Sequence, residues 1–300
     1  MAARQGYRED LAYVHDAGFG RFAELAAPFL LAALGRSLAP GCLVVDIGCG
    51  SGGWARRLTD AGYAVLGIDQ SRALLSLARA RAPRAVFQQG SFLDIDLPPC
   101  DAVTALGEVL NYCFDERNGP RALSRLFRRV HAALRPGGLF AFDLALPGRV
   151  PGGGPAQGHR AGADWAVLFE SEEDRGHRFL TRRITTFRRV GRGYRRGEEV
   201  HLQRLYPEAK VAAALRRAGF SVRTSRSYGR FRLPPGLAAF LARRPPGSGS
   251  AVRPGAATGH RASGGNAARA RATPAHREVD RPGPRRRAPP PSLPPGRGRP

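Results

Sequence analysis

The chain has 300 residues, 42% of them hydrophobic, which is enough for one large domain or two small ones with a sizeable core. Its 48 basic and 24 acidic residues give a formal charge of +24, but Lys210 is the sole lysine, and so arginine-rich a composition carries charge without selection for a polyanion. Residues 246–300 hold 11 Arg against Glu278 and Asp280, so the rest of the chain is only moderately basic.

Residues 8–36 read as one or two amphipathic helices, a lid or flank, interrupted at Gly18–Gly20 and at Pro28. From Gly41 onward, short apolar runs alternate with Ala/Leu/Arg helices. The runs are 42–47, 63–68, 84–88, 101–106 and 138–145, and the helices are 52–61, 71–81 and 119–134. Continuously apolar strands alternating with helices predict a parallel sheet covered on both faces, an α/β doubly wound arrangement. After Pro147 comes a Gly/Pro loop (151–155), then three strand-like runs at 165–170, 178–188 and 199–206. Their turns at Asp174–Gly176 and Gly191–Gly197 make them an antiparallel insert. A helix from Pro207 through Arg217, ended by Gly219, precedes strands at 220–228 and 237–242 that complete the sheet. The expected organisation is an N-terminal helical lid (1–40), a Rossmann-like seven-stranded body (41–245) and a Pro/Gly/Arg-rich tail (246–300) with too few large apolar residues to order itself. That tail is either a basic tether or an out-of-frame extension without function.

No apolar stretch reaches the roughly 18–20 residues of a membrane span, and Met1 to Asp10 has no apolar signal core. Cys42, Cys49, Cys100 and Cys113 form no CxxC pair, and no metal-ligand spacing is seen. The expectation is a cytoplasmic protein with reduced thiols, no bound metal and no membrane partner. Its oligomeric state cannot be read from the sequence.

The strongest chemical signal is residues 44–54, a strand entering a glycine-rich turn that opens a helix. Glycines there let a ligand approach the backbone and face the helix amides. Gly48, Gly50 and Gly53 also satisfy the dinucleotide pattern, so the glycines do not choose between cofactors. Asp46, two residues before the first of them, would repel a pyrophosphate and attract a cation. Asp69, at the end of the next strand, stands where a carboxylate accepts hydrogen bonds from a ribose diol, as it would for NAD as well.

With VVDIGCGSG at 44–52, GID at 67–69, GSFLD at 90–94 and LRPGGLFAFD at 134–143, residues 41 to about 146 resemble a class I S-adenosylmethionine-dependent methyltransferase. The resemblance implies that Asp46, Gly48, Gly50 and Gly52 hold the methionine and ribose end of S-adenosyl-L-methionine and that Asp69 holds the ribose hydroxyls. It implies too that Ser91 and Phe92 cap the adenine and that Gly107 lies beside the sulfonium. Many relatives carry Asp where Ser91 stands, so Asp94 is the alternative for the adenine contact.

Glu108, Asn111 and Tyr112 follow the fourth strand and are candidates for contact with the substrate or with the donor's amino acid end, against a solvated helix start; Asp143 ends the fifth and is a substrate-side candidate, against turn chemistry. Tyr7, Tyr13 and His15 either close over the donor or pack the lid helix. His131 reads as a half-buried helix residue. Tyr206 and Lys210 have the spacing of a dehydrogenase proton relay, but Pro207 prevents one helix from carrying both. Arg178, Arg182, Arg183, Arg188, Arg189, Arg192, Arg195 and Arg196, with Phe179 and Phe187, are the best case for a nucleic acid partner, yet strand alternation divides them between two faces. The favoured reading is methyl transfer to a small-molecule acceptor. RNA or protein substrates, a non-catalytic donor-binding protein and a dehydrogenase are the rivals.

Overall fold

The structure is a computed structural model that describes residues 6–246; the expected tail lies outside the described residues apart from its first residue. Two helices, α1 (Glu9–Phe19) and α2 (Arg21–Gly35), meet at Gly20 with a bend of 57°. Pro28 does not interrupt α2 as expected. It sits exposed on the outer side, while Ala26, Ala27, Leu30, Ala33 and Leu34 press the helix onto the sheet. That burial outweighs one lost helical hydrogen bond. Of the two roles expected for these helices, α2 takes the flank, its buried face a layer of the core and only its first turn reaching the cavity; α1 packs on the inserted sheet through Leu11, Val14, Trp165, Val167 and Ile184.

The α/β alternation follows as β1 (Leu43–Ile47), α3 (Gly53–Asp60), β2 (Ala64–Asp69), α4 (Arg72–Arg81), β3 (Val86–Gln89), β4 (Cys100–Ala105), α5 (Pro120–Ala133) and β5 (Leu134–Ala145). The insert comprises β6 (Ala156–Ala161), β7 (Trp165–Asp174), β8 (Phe179–Val190) and β9 (Gly193–Arg204). After it come α6 (Glu208–Arg217), β10 (Ser221–Ser225), a small hairpin β11 (Ser227–Tyr228) and β12 (Phe231–Arg232), and β13 (Leu237–Arg243). The large sheet has seven strands in the order β10-β13-β5-β4-β1-β2-β3. Strands β1 to β5 pair in parallel, and β13 is antiparallel to both β5 and β10, so the sheet is mixed. The Rossmann-like α/β reading holds, with one reversed strand near its edge.

Each sheet face has its own helices. On one side, α5 and α6 bury Leu123, Phe127, Val130 and Leu215; on the other, α2 and α3 bury Leu30, Leu34, Trp54 and Leu58. The continuous apolar run of β5 is thereby explained, since Leu139 through Ala145 are all buried. Phe140 and Phe142 stack at 4.5 Å between ring centroids, and Phe142 stacks on Phe240 at 4.9 Å.

Two sequence expectations fail here for one reason. The insert has four strands, not three, and the run 220–228 is broken into β10 and the first strand of a separate hairpin. Strand β6 (AQGHRA) has no β-branched residue and pairs with β7 through backbone and one side-chain bond, Gln157 to Glu170, so no propensity marks it. The turn between β8 and β9 is also tighter than expected, with pairing already in place at Val190 and Gly193. Replacing Phe140 by Ala is expected to cost about 3–5 kcal/mol of stability by urea denaturation, because its fully buried ring cannot be replaced by relaxation between two helices and a sheet.

Candidate active site

A cavity of about 510 Å³ opens at the carboxyl edge of the parallel strands, against Gly48 after β1, Asp69 ending β2, Gly90 after β3 and Leu106 after β4. Its roof is the N-terminal segment, which contributes Tyr7, His15, Phe19 and Phe22.

The floor begins with strand register. Parallel pairing sets Asp46 opposite Thr104, and the Thr104 hydroxyl donates to Asp46 Oδ1 at 2.8 Å while accepting the Trp54 indole N–H at 3.1 Å. Asp46 is 2% exposed, and burial pushes its carboxyl up to about 7 against the opposing hydrogen bond from Thr104. The turn that follows needs left-handed backbone at Gly48, Gly50 and Gly52 (φ +66°, +53° and +78°). A methyl group at Gly48 would meet Val109 at 2.4 Å and one at Gly52 would meet the Ala78 backbone at 2.9 Å, whereas one at Gly50 meets nothing. Gly50 is thus the glycine that leaves backbone open to the cavity. Asp69 holds the turn from the side, accepting from Gly50 N at 2.9 Å and from Ser71 N at 2.8 Å. Burial raises its pKa, and those backbone donors oppose the rise.

The roof is tied at both ends. The Tyr7 and Arg8 amides donate to Glu199 at 2.7 and 2.8 Å, and the Ser71 hydroxyl donates to Tyr7 O at 2.7 Å. Asp10 is paired with Arg188 and Arg195 of the insert. At the far end of α1, Arg81 binds Asp16 with both terminal nitrogens and donates to Ser51 Oγ at 2.8 Å, joining roof to glycine turn. The absence of a side chain at Gly18 lets α1 lie against Trp165, whose ring a Cβ would meet at 2.6 Å.

Of the expected site residues, Asp46, Gly48, Gly50, Asp69, Phe92, Gly107 and Tyr112 come together around the cavity, with Tyr7 and His15. Burial takes His15 down to about 4, so it is neutral near pH 7. Gly52 stands behind the turn at the cap of α3.

Four expectations are corrected. Ser91 turns away: its hydroxyl donates to Asp115 Oδ2 at 2.8 Å, and the alternative, Asp94, is paired with Arg117 at the surface. Asn111 is a fully buried structural bracket, exchanging both hydrogen bonds with Ala145 and donating to Arg204 O at 2.7 Å. Asp143, also fully buried, accepts from Gly107 N at 3.1 Å, Glu108 N at 2.8 Å and the Tyr228 hydroxyl at 3.2 Å, and so fixes the turn after β4. Burial lifts its carboxyl to about 7 against those donors. Glu108, at φ +62°, accepts from Gln203 at 2.9 Å and pairs with Arg149 and Arg182 behind the cavity wall. Burial opposes its ionisation, yet the two guanidiniums hold its pKa below the ordinary value.

Other groups find structural partners. The Tyr13 hydroxyl donates to Asp164 at 2.7 Å, with Arg188 over its ring. His131 packs edge-on to Phe220. Tyr206 is buried against Asn118 while Lys210 is exposed, so they form no pair. Among the insert arginines, Arg182, Arg183, Arg188, Arg195 and Arg196 pair with carboxylates of this chain, and Phe179 lies beneath Arg204. The sequence reading missed Thr104, Trp54, Asp16, Arg81 and Glu199, whose roles come from long-range pairing; Thr104, a polar residue inside an apolar strand, is the one that carried a local signal.

Residues 44–138 match the family model of the methyltransferase domain. An uncharacterized methyltransferase of Synechocystis sp. is 34% identical over 112 residues, which is 37% of this chain and 51% of that protein. The ubiquinone biosynthesis O-methyltransferase of Alkalilimnicola ehrlichii is 34% identical over 107 residues, 33% of this chain and 40% of that protein. The chain thus spans about half or less of these relatives' lengths. The crystal structure of an S-adenosylmethionine-dependent methyltransferase from Clostridium acetobutylicum shares the fold, with a TM-score of 0.67 at 17% identity over 78% of this chain and 97% of that one.

The floor makes a prediction about pH. A carboxyl whose folded pKa is raised binds its proton more tightly folded than unfolded, so its contribution favours folding most below the ordinary value near 3.8 and is lost as pH rises through about 7. Asp46→Asn is therefore expected to flatten the loss of stability of the ligand-free protein between pH 5 and 8, as read by urea titrations, by up to about 1.4 kcal/mol per pH unit.

Proposed function

We propose that this chain, whose residues 44–138 match a methyltransferase-domain model, is a class I S-adenosylmethionine-dependent methyltransferase that moves a methyl group from S-adenosyl-L-methionine to a small-molecule acceptor. The observation that carries this reading is the pair of buried carboxylates, Asp46 and Asp69, beneath the open backbone of Gly50 on one wall of the cavity. Two carboxylates repel a pyrophosphate, whereas a ligand with a sulfonium and an ammonium group gains from both. The residues present therefore fit the donor better than a dinucleotide.

In this reading Asp69 accepts hydrogen bonds from the ribose hydroxyls, and Asp46 with the turn at Gly48, Gly50 and Gly52 holds the methionine and ribose end. Phe92, 6% exposed, would supply an apolar contact for the base, and Gly107, with no side chain, would border the reacting centre. The Ser91 contact is withdrawn, since its hydroxyl is already engaged. The donor, when bound, supplies a methyl group already activated on sulfur. The protein's share is to align an acceptor nucleophile in line with the bond that breaks and to exclude water beneath the roof of Tyr7, His15, Phe19 and Phe22.

A small acceptor suits a cavity closed over by α1, and relatives are named for ubiquinone biosynthesis and for magnesium-protoporphyrin O-methylation. A nucleic acid acceptor is not favoured by the insert, where Arg182, Arg183, Arg188, Arg195 and Arg196 are engaged by this chain's own carboxylates.

S-adenosylhomocysteine is expected to raise the melting temperature, while NAD leaves it unchanged; a shift with NAD alone would overturn the reading. Asp69→Ala is expected to weaken S-adenosylhomocysteine binding roughly 10- to 100-fold by calorimetry, the loss of a charge-assisted bond of about 1.5–3 kcal/mol. With tritiated donor and a metabolite extract, label is expected in the small-molecule fraction and not in protein or nucleic acid.

A further inference from the structure

Behind the cavity wall lies a cluster that the donor reading leaves without a role. Arg182 of β8 and Arg149 share the carboxylate of Glu108, at 3.3 and 3.1 Å, so neither guanidinium has a carboxylate to itself in these pairings. The Arg182 side chain is about one-fifth exposed and faces the hydroxyls of Tyr7 and Tyr112, whose rings line the cavity. The nearby Glu199 offers no compensation, because it is committed to the Tyr7 and Arg8 amides, to the Arg8 guanidinium and to His201.

The two hydroxyls lie 2.9 Å apart and hydrogen-bond each other, and that of Tyr112 also meets the Arg182 guanidinium. Two hydroxyls bring two protons, and their mutual bond uses one. The second cannot go to Arg182, because a guanidinium has donors and no acceptor. With lone pairs turned toward the guanidinium, the remaining proton is available to an acceptor in the cavity. A wall with an O–H donor backed by a guanidinium suits an anionic oxygen. The cavity's own carboxylates do not supply one there: Asp16 is bound to Arg81, Asp46 to Thr104, Asp60 to Arg56 and Arg84, Asp69 to backbone amides, and Glu24 is exposed at the rim.

We propose, on the premise that the cavity holds the S-adenosyl donor, that Arg182 is a positioning residue which sets the Tyr7 and Tyr112 hydroxyls as a binding subsite for a carboxylate. The carboxylate belongs either to the amino acid end of the donor or to the acceptor. Either way the antiparallel insert does more than cover the cavity: it supplies from β8 the charge that selects what binds there. A carboxylate acceptor also needs no base, since its nucleophilic oxygen is already ionised at neutral pH.

Calorimetry on the full chain separates the cases with three probes: S-adenosylhomocysteine, which has the carboxylate; 5′-methylthioadenosine, which lacks it; and benzoate added to protein saturated with S-adenosylhomocysteine. If the donor's carboxylate occupies the subsite, Tyr112→Phe and Arg182→Met weaken S-adenosylhomocysteine about tenfold and leave 5′-methylthioadenosine unaffected. If the acceptor's does, both nucleosides bind as before, and benzoate binding falls by a similar factor in the two variants while benzamide shows no difference. In both cases Arg182→Lys recovers part of the loss, which a purely packing role would not give. Equal loss of both nucleosides, or no response of S-adenosylhomocysteine and benzoate to either variant, overturns the subsite. Failure of the unaltered chain to bind any nucleoside strikes the donor reading itself and takes the subsite with it.

Discussion

One register fixes the site. Because β1 and β4 pair in parallel with Asp46 opposite Thr104, a carboxylate enters the protein interior with a hydrogen-bond donor already beside it, and that donor is oriented in turn by the Trp54 indole. A slip by one residue would turn Asp46 into the opposite helix layer and remove its partner. Asp69 depends on the same alignment, since β1 and β2 in register carry the glycine turn to the place where Gly50 meets the Asp69 carboxylate. Two ionisable groups thus stay buried through strand pairing, with the cost of their desolvation visible in the raised pKa values.

A second frame joins the large sheet to the insert. Asp143 closes the turn after β4 by taking two backbone amides, which forces Glu108 into left-handed backbone and presents its carboxylate to Arg149, Arg182 and Gln203. Asn111 fastens the same loop to the ends of β5 and β9. Polar residues at the carboxyl edge of this sheet therefore divide into those that line the cavity and those that hold its wall. Their chain positions are adjacent, and only their partners tell them apart.

That division marks how far the sequence could be read. The α/β body was legible because its strands are apolar throughout and its helices carry one apolar stripe each, and Asp46, Gly50 and Asp69 were legible because a strand, a turn and a helix fix their surroundings locally. Glu108, Asn111 and Asp143 looked equally chemical, yet their partners lie 34 to 95 residues away, in strands whose register no local pattern states. Strand β6 was invisible because an edge strand of Ala, Gln, Gly, His and Arg is set by backbone pairing and polar contacts that leave no apolar alternation. Pro28 misled for the converse reason: a strong local breaker gave way to the burial of five neighbours.

The placement of the two tryptophans turns the chain into its own optical instrument. Trp54 sits under the floor, its indole bonded to Thr104 and its ring at the cavity, while Trp165 lies outside the roof, against the bare backbone of α1 at Gly18. One indole registers what enters the chamber, and the other registers whether the helix above it has shifted. With either ring exchanged for phenylalanine, the emission that remains follows filling and gating as separate events in time.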